Sequence, residues 1–258
     1  VLVLPYLQNR AGKQEDKMLS YFKGASDCIA GFKLILNPGL RRFVIAPLVI
    51  NIALLSTVIY FLSQKIDSWI TYLLPSWLSF LQYILWPLFA ITIFLIVFYC
   101  FTMLANLIAA PFNSLLAARV EARLSGRTPE DINSEAFWKI LIRSIGAELT
   151  KMLYLVKWFI PLLILTFIPV INVIAPFAWF LFAAWSFALE YTDYPLGNRG
   201  QLFKEVKEYN RKNRMRALGF GSVVFVLTSV PILNFLAMPV AVCGATRLTV
   251  KVKEQNHD

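Results

Sequence analysis

The sequence predicts an all-α integral membrane protein, with two long transmembrane helices, two helical hairpins of which at least one is partially inserted, and an N-terminal amphipathic helix lying in the interface. Three observations predict it. Hydrophobic residues make up 58% of the chain and charged residues 16%, against about half and about a quarter in soluble domains. The apolar residues gather into four runs, 43–63, 78–112, 153–189 and 219–246, and a single crossing needs about 20 apolar residues. Of the 25 Lys and Arg residues, seven precede Phe43, six lie between Asn113 and Met152, seven between Glu190 and Leu218 and three after Thr246. The positive-inside rule puts all those basic segments on the cytoplasmic side and leaves 64–77, with Lys65 alone, outside.

The elements follow in order. Val1 to Lys17 reads as a tag or disordered leader with Met18 as a natural start, and no cleavable signal peptide is expected in it. Over 18–36 the apolar positions Met18, Phe22, Ala25, Ile29, Phe32 and Leu36 recur at spacings of four and three, with Lys23, Asp27 and Lys33 elsewhere, the pattern of an interfacial helix. Segments 43–63 and 78–112 are the spanning helices. The segment 113–152 starts as helix, with Asn113, Ala117 and Glu121 on one face and Arg119 and Arg123 on another; it reads either as a solvated extension of the second span or as the charged mouth of a pore. Pro161, Pro169 and Pro176 divide run 153–189, and Pro231 and Pro239 divide run 219–246, so both read as hairpins. At about 1.5 Å per residue the arms of the last run span about 18 and 20 Å, short of a hydrocarbon core of about 30 Å. The arms of run 153–189 reach about 24 to 26 Å and fit either a partial insertion or a tilted crossing. Residues 190–218 form a basic cytoplasmic segment and 247–258 a tail.

The chemistry concentrates at Asn37-Pro38-Gly39-Leu40-Arg41-Arg42. Two guanidinium groups sit at the start of a membrane helix behind a Pro-Gly turn, where a helix N-terminus already favours an anion. Donors without a nearby carboxylate suit sulfate, a proton-free dianion, better than phosphate, which keeps a proton that seeks an acceptor. Lipid anchoring is the plainer use of such arginines. The repeated turns "NLIAAP", "NVIAP" and "NFLAMP", beginning at Asn106, Asn172 and Asn234, place an Asn ahead of a proline at membrane depth. They either satisfy their own bends or line a polar path. His257 is the single histidine, which excludes Ser-His-Asp, Cys-His and multi-His metal sites. No catalytic residue, metal or cofactor is expected, and the basic balance is assigned to topology and lipid contact rather than nucleic acid. Cys28, Cys100 and Cys243 read as packing thiols. The apolar runs hold no clearly membrane-deep carboxylate, which favours a passive channel over proton coupling.

"NPGLRRFVIAPLVIN", "NLIAAPFNSLLAARVEARLSG", "WFLFAAWSFALEYTDYP" and "VPILNFLAMPVAVCGAT" resemble, in this order, the CysZ family of bacterial inner-membrane sulfate permeases. The resemblance runs from about Met18 to Thr246. It implies sulfate uptake for cysteine biosynthesis, homo-oligomeric assembly, and a sulfate site at Gly39, Leu40, Arg41 and Arg42, with Glu121 and Arg123 at the charged entrance; Asn106, from the repeated turn, and Asn113, from the face it shares with Glu121, are further pore or entrance candidates. The alternative is a non-transporting membrane partner that binds anions or assists another transporter.

Overall fold

A computed structural model describes residues 3–42, 45–46, 49–50, 52–54, 56–61, 64, 87–88, 91–92, 111–126 and 137–255. The described residues are helical, apart from turns, and no strand occurs among them. They fall into two compact units, Val1–Arg41 with Asn113–Asp258, and Arg42–Phe112. In the second, the described residues between 45 and 61 are helical. In run 78–112 the described residues 87–88, 91–92 and 111–112 are helical too, and the rest of both spanning runs lies outside the described residues.

The first unit contains α1 (Val3–Ile35), α2 (111–124), α3 (Phe137–Phe167), α4 (Ala175–Asn198), α5 (Phe203–Lys212), α6 (Arg214–Ser229) and α7 (Pro231–Gln255). A short 3₁₀ turn, Ile171–Ile174, joins α3 to α4. α1 packs most heavily on α6 and α7, and α4 covers α6 from its own side. Where α1 crosses α6 the backbones nearly touch. A Cβ on Gly24 would lie 1.9 Å from the Arg216 carbonyl oxygen, and one on Gly219 would lie 1.9 Å from that of Tyr21. Small residues allow this approach, and close backbone packing is what joins helices where lipid supplies no hydrophobic drive.

The two faces of α1 reverse the simplest reading of its pattern. Met18, Phe22, Ile29 and Leu36 are exposed, as suits a helix bathed in lipid interface. Asp27, which the spacing sets among the polar positions, is instead buried with Cys28, Leu34 and Ile35. Its carboxylate accepts from Arg216 Nε at 2.9 Å and from a terminal amino group of Arg216 at 2.7 Å. Arg247 Nε lies 3.3 Å from the other carboxylate oxygen and Lys251 Nζ 4.0 Å from it. Burial, with the Asp27 charge adding to it, pushes the neighbouring Cys28 thiol up to about 12, so it packs as a neutral group.

α3 and α4 form the first hairpin. Trp179 Nε1 donates to Thr166 Oγ1 at 3.0 Å near the turn, and Trp185 Nε1 donates to the Tyr154 hydroxyl at 3.2 Å further down. Phe159 and Trp179 meet edge to face, 5.2 Å between centroids. The prolines divide the run less than expected. Pro169 lies in the turn and Pro176 in the first turn of α4, where its missing N–H costs nothing, but Pro161 and Pro195 are inside helices. The arms are accordingly longer than the apolar run. Leu149–Phe167 and Ile171–Asn198, 19 and 28 residues, are each long and apolar enough to cross a membrane. Only 6% and 17% of their apolar windows are buried within the chain, which is not how the core helix of a soluble protein behaves. Glu190 and Asp193, expected just beyond the hairpin, remain inside α4. There they meet buried Lys151 of α3 at 2.6 and 3.8 Å.

The segment 190–218 is structured rather than an open basic stretch. The N–H of Leu202 donates to the Glu205 carboxylate at 2.7 Å, fixing the start of α5. Lys207 lies over the Tyr154 ring, 5.3 Å from its centroid, which ties α5 to α3. Buried Asn210 donates to Thr192 Oγ1 at 2.7 Å, which ties α5 to α4. α6 and α7 meet at Val230. α6 has 16 residues, or about 24 Å, and Pro239 is accommodated within α7.

Asp27→Ala removes the carboxylate from a buried ion pair with Arg216 and is expected to cost about 3–5 kcal/mol. Asp27→Leu combined with Arg216→Met removes both charges and is expected to recover most of that loss, as read by thermal unfolding of the detergent-purified protein. Gly219→Ala drives a methyl into the Tyr21 carbonyl and is expected to lower stability by about 1–3 kcal/mol in the same assay.

Candidate functional site

The chain leaves α1 through a turn whose hydrogen bonds are closed by side chains. Asn37 Nδ2 donates to the carbonyls of Lys33 and Leu34, both at 3.2 Å, and Arg41 Nε donates to the Leu36 carbonyl at 2.9 Å. These are the orphan acceptors of a helix C-terminus, where cations are also favoured. Gly39 has φ +89° with nothing within 4 Å of where a Cβ would stand, so conformation and not space reserves the position for glycine. Leu40 is buried and its N–H donates to the Asn37 carbonyl at 3.2 Å. That N–H, expected to face an anion, is therefore committed within the turn. Arg41 is exposed and held back onto α1 by its Nε, with its two terminal amino groups beyond that bond.

Arg42 belongs to the second unit. It is exposed at the head of a helical face that continues through Ile45, Ala46, Val49 and Ile50. Arginine followed by an apolar stripe is the arrangement of an interfacial anchor as well as of an anion ligand.

Two of the remaining candidates are brought toward the turn or its supports. An Arg123 terminal amino group lies 3.5 Å from Asn37 Oδ1, so α2 delivers this exposed guanidinium to the residue that closes α1. Glu121, half-buried on the same helix, pairs with Arg199 Nε at 3.0 Å rather than with Arg123. Arg199 also donates to Thr249 Oγ1 at 3.3 Å, linking α2 to α7. Asn113 is buried, and its Nδ2 faces the Tyr194 hydroxyl at 3.5 Å and Met238 Sδ at 3.0 Å. Next to it Ser114 and Asn198 bond reciprocally, Asn198 Nδ2 donating to the Ser114 carbonyl at 2.7 Å. α2 is thus a packed helix, with Leu116, Ala117 and Val120 wholly buried, and not a solvated extension.

Asn106 lies outside the described residues. Asn172 and Asn234, the other two members of the repeated turn, are exposed near the junctions that follow α3 and α6. There the Asn172 and Asn234 backbone N–H groups, not their side chains, close the turns, onto Ile168 and Val230 at 3.0 and 2.8 Å. The residues that sequence reasoning passed over are Asp27, Arg216, Arg247, Lys151 and Arg199. The signal for Asp27 was present in the small residues flanking it, since Gly24, Cys28 and Gly31 mark the face of α1 that meets another backbone.

Taken together, the described residues define an all-helical protein with exposed apolar helices of membrane-crossing length and cationic side chains gathered at helix ends. A family model described as "Sulfate transporter CysZ/Etoposide-induced protein 2.4" matches residues 28–239. The chain belongs to that family. The matched segment includes the whole of the Asn37–Arg42 turn, α2, the first hairpin and Arg216, and it begins one residue after Asp27.

Proposed function

We propose that the protein is a sulfate permease or channel of the bacterial inner membrane, a multi-pass homo-oligomer that supplies sulfate for cysteine biosynthesis. The observation that carries this reading is the pair of exposed arginines on a glycine-dependent turn inside the segment that matches a sulfate transporter family. Arg41 and Arg42 would hold the dianion through their guanidinium forks. Gly39 would supply a turn with φ +89° that brings them into register, and Leu40, buried, would anchor that turn from beneath. Arg123 would gather anions at the approach to the turn, with Glu121 keeping Arg199 in place, and Asn106 and Asn113 would belong to the path beyond. No catalytic step, metal or cofactor is invoked. The family description also carries a name that does not specify transport, and a non-transporting partner that binds anions is the competing reading. Uptake of labelled sulfate into liposomes containing only this protein separates the two, and absence of uptake would reject the permease.

Each charge-assisted hydrogen bond contributes about 1.5–3 kcal/mol. Arg42→Ala is therefore expected to weaken sulfate binding about ten- to a hundredfold by calorimetric titration, with Arg42→Lys recovering only part. Lipid anchoring predicts instead that lysine substitutes freely. Arg41→Ala is expected to weaken binding and also to loosen the end of α1, because its Nε closes the Leu36 carbonyl.

Arg123→Ala is expected to lower sulfate flux at low ionic strength while leaving equilibrium affinity nearly unchanged, since an exposed charge away from the bound ion acts by steering. The difference from wild type should shrink as salt is raised and the Debye length falls. Equal fluxes at low salt would leave Arg123 with a purely structural contact to Asn37.

A further inference from the structure

Among the described residues, three cations, Arg216, Arg247 and Lys251, converge on the Asp27 carboxylate. Arg216 takes one carboxylate oxygen at 2.7 and 2.9 Å, the distances of a strong charge-assisted pair. The other oxygen faces Arg247 at 3.3 Å and Lys251 at 4.0 Å, both long for such a bond. Arg247 makes no further hydrogen bond among the described residues, which leaves its two terminal amino groups without an acceptor. Lys251 follows one helical turn later on the same face of α7. The side chains of Asp27 and Arg216 are 4% and 7% exposed, whereas those of Arg247 and Lys251 are 29% and 44% exposed. The cluster is therefore sealed on the Arg216 side and open along the Arg247–Lys251 edge.

Two more polar groups bear on the cluster. Arg199 brings a further cation to α7, matched by Glu121. The Tyr209 hydroxyl is buried with no hydrogen-bond partner among the described residues. Burial raises its pKa, while the Arg216 and Arg199 guanidinium groups act in the opposite sense, so the hydroxyl lies in the field of both and stays a protonated donor. Among the described residues, Arg247 and Lys251 have only the one Asp27 oxygen to share, at 3.3 and 4.0 Å.

We propose that the Arg247–Lys251 edge of this cluster is a second oxyanion site, which takes a tetrahedral dianion such as sulfate or the phosphate of a lipid headgroup. A guanidinium fork matches two oxygens of a tetrahedral anion, and an ammonium one turn away serves a third as a point charge. A dianion would also match the charges of Arg247 and Lys251. The site is distinct from the Asn37–Arg42 turn, and it rests on the sulfate permease reading only for the choice of sulfate as the probe. Because Asp27 holds α1, an anion here would brace the same helix whose end forms that turn.

The test uses the full chain in nanodiscs of phosphatidylcholine and equilibrium binding of labelled sulfate. Arg41→Ala/Arg42→Ala protein is expected to retain sulfate binding, and adding Arg247→Gln/Lys251→Gln is expected to abolish it. Sulfate should also raise the melting temperature of the first variant and not of the second. Lys251→Gln and Arg247→Lys leave the Asp27–Arg216 pair intact. With unchanged melting in the absence of sulfate, each is expected to weaken the residual binding at least threefold. The inference is overturned if Arg41→Ala/Arg42→Ala protein binds no sulfate, or if its residual binding survives loss of Arg247 and Lys251. Wild-type binding in Arg41→Ala/Arg42→Ala protein that is lost on changing Arg247 and Lys251 would uphold this site and reject the Arg41–Arg42 site. Repeating the measurement with phosphatidylglycerol in the disc distinguishes the two sources. Persistent sulfate binding supports a free anion, and its displacement supports a headgroup phosphate in the same site.

Discussion

A carboxylate buried in α1 governs how the rest of the first unit is arranged. Asp27 cannot be left charged among Cys28, Leu34 and Ile35 without partners, because the desolvation of an isolated ion costs several kcal/mol. Its partners come from α6 and α7, and two N–H groups of Arg216 converge on one of its oxygens. The glycines at 24 and 219 then let the backbones close to the distance at which those bonds are made. Charge chooses the partner helix and small side chains permit the approach. Neither alone specifies the crossing.

The turn that follows α1 inherits its place from that crossing. Ile35 ends the helix that Asp27 holds, and Asn37 and Arg41 close its last carbonyls. α2 reaches the same point through Arg123, while its own seat depends on Glu121 with Arg199 and on Asn113 among Tyr194 and Met238. The proposed anion ligands are exposed, but what positions Gly39 to Arg41 is buried. A turn on the surface of a membrane protein can in this way have a defined geometry without forming part of a deep pocket.

Much of this architecture was legible in the amino-acid order, and the misses share a cause. Hairpin 153–189, the junction at Val230 and the turn at Gly39 follow from apolar length, prolines and glycine, all of which act locally. The lengths of α3 and α4 did not follow, because Lys151, Glu190 and Asp193 look like the polar ends of an apolar run and are instead satisfied by one another inside the hairpin. Pro161 and Pro239 did not break their helices, since neighbouring helices hold what local preference would release. Asp27 was placed with the solvated positions because its partners lie far along the chain and no periodicity points to them. For the site, residue type and turn chemistry singled out Gly39, Arg41, Arg42 and Arg123. They could not reveal that the Leu40 N–H is already used by Asn37, which depends on the fold of the turn itself.

The separation between Asp27 and its partners also orders the making of the protein. Arg216 lies 189 residues after Asp27 and Arg247 lies 220 residues after it. During synthesis, α1 emerges with its acidic residue long before either arginine has been translated. The Asp27 carboxylate has none of the cations that it pairs with here until α6 and α7 have been made. Only then can the first helix made take up its final position.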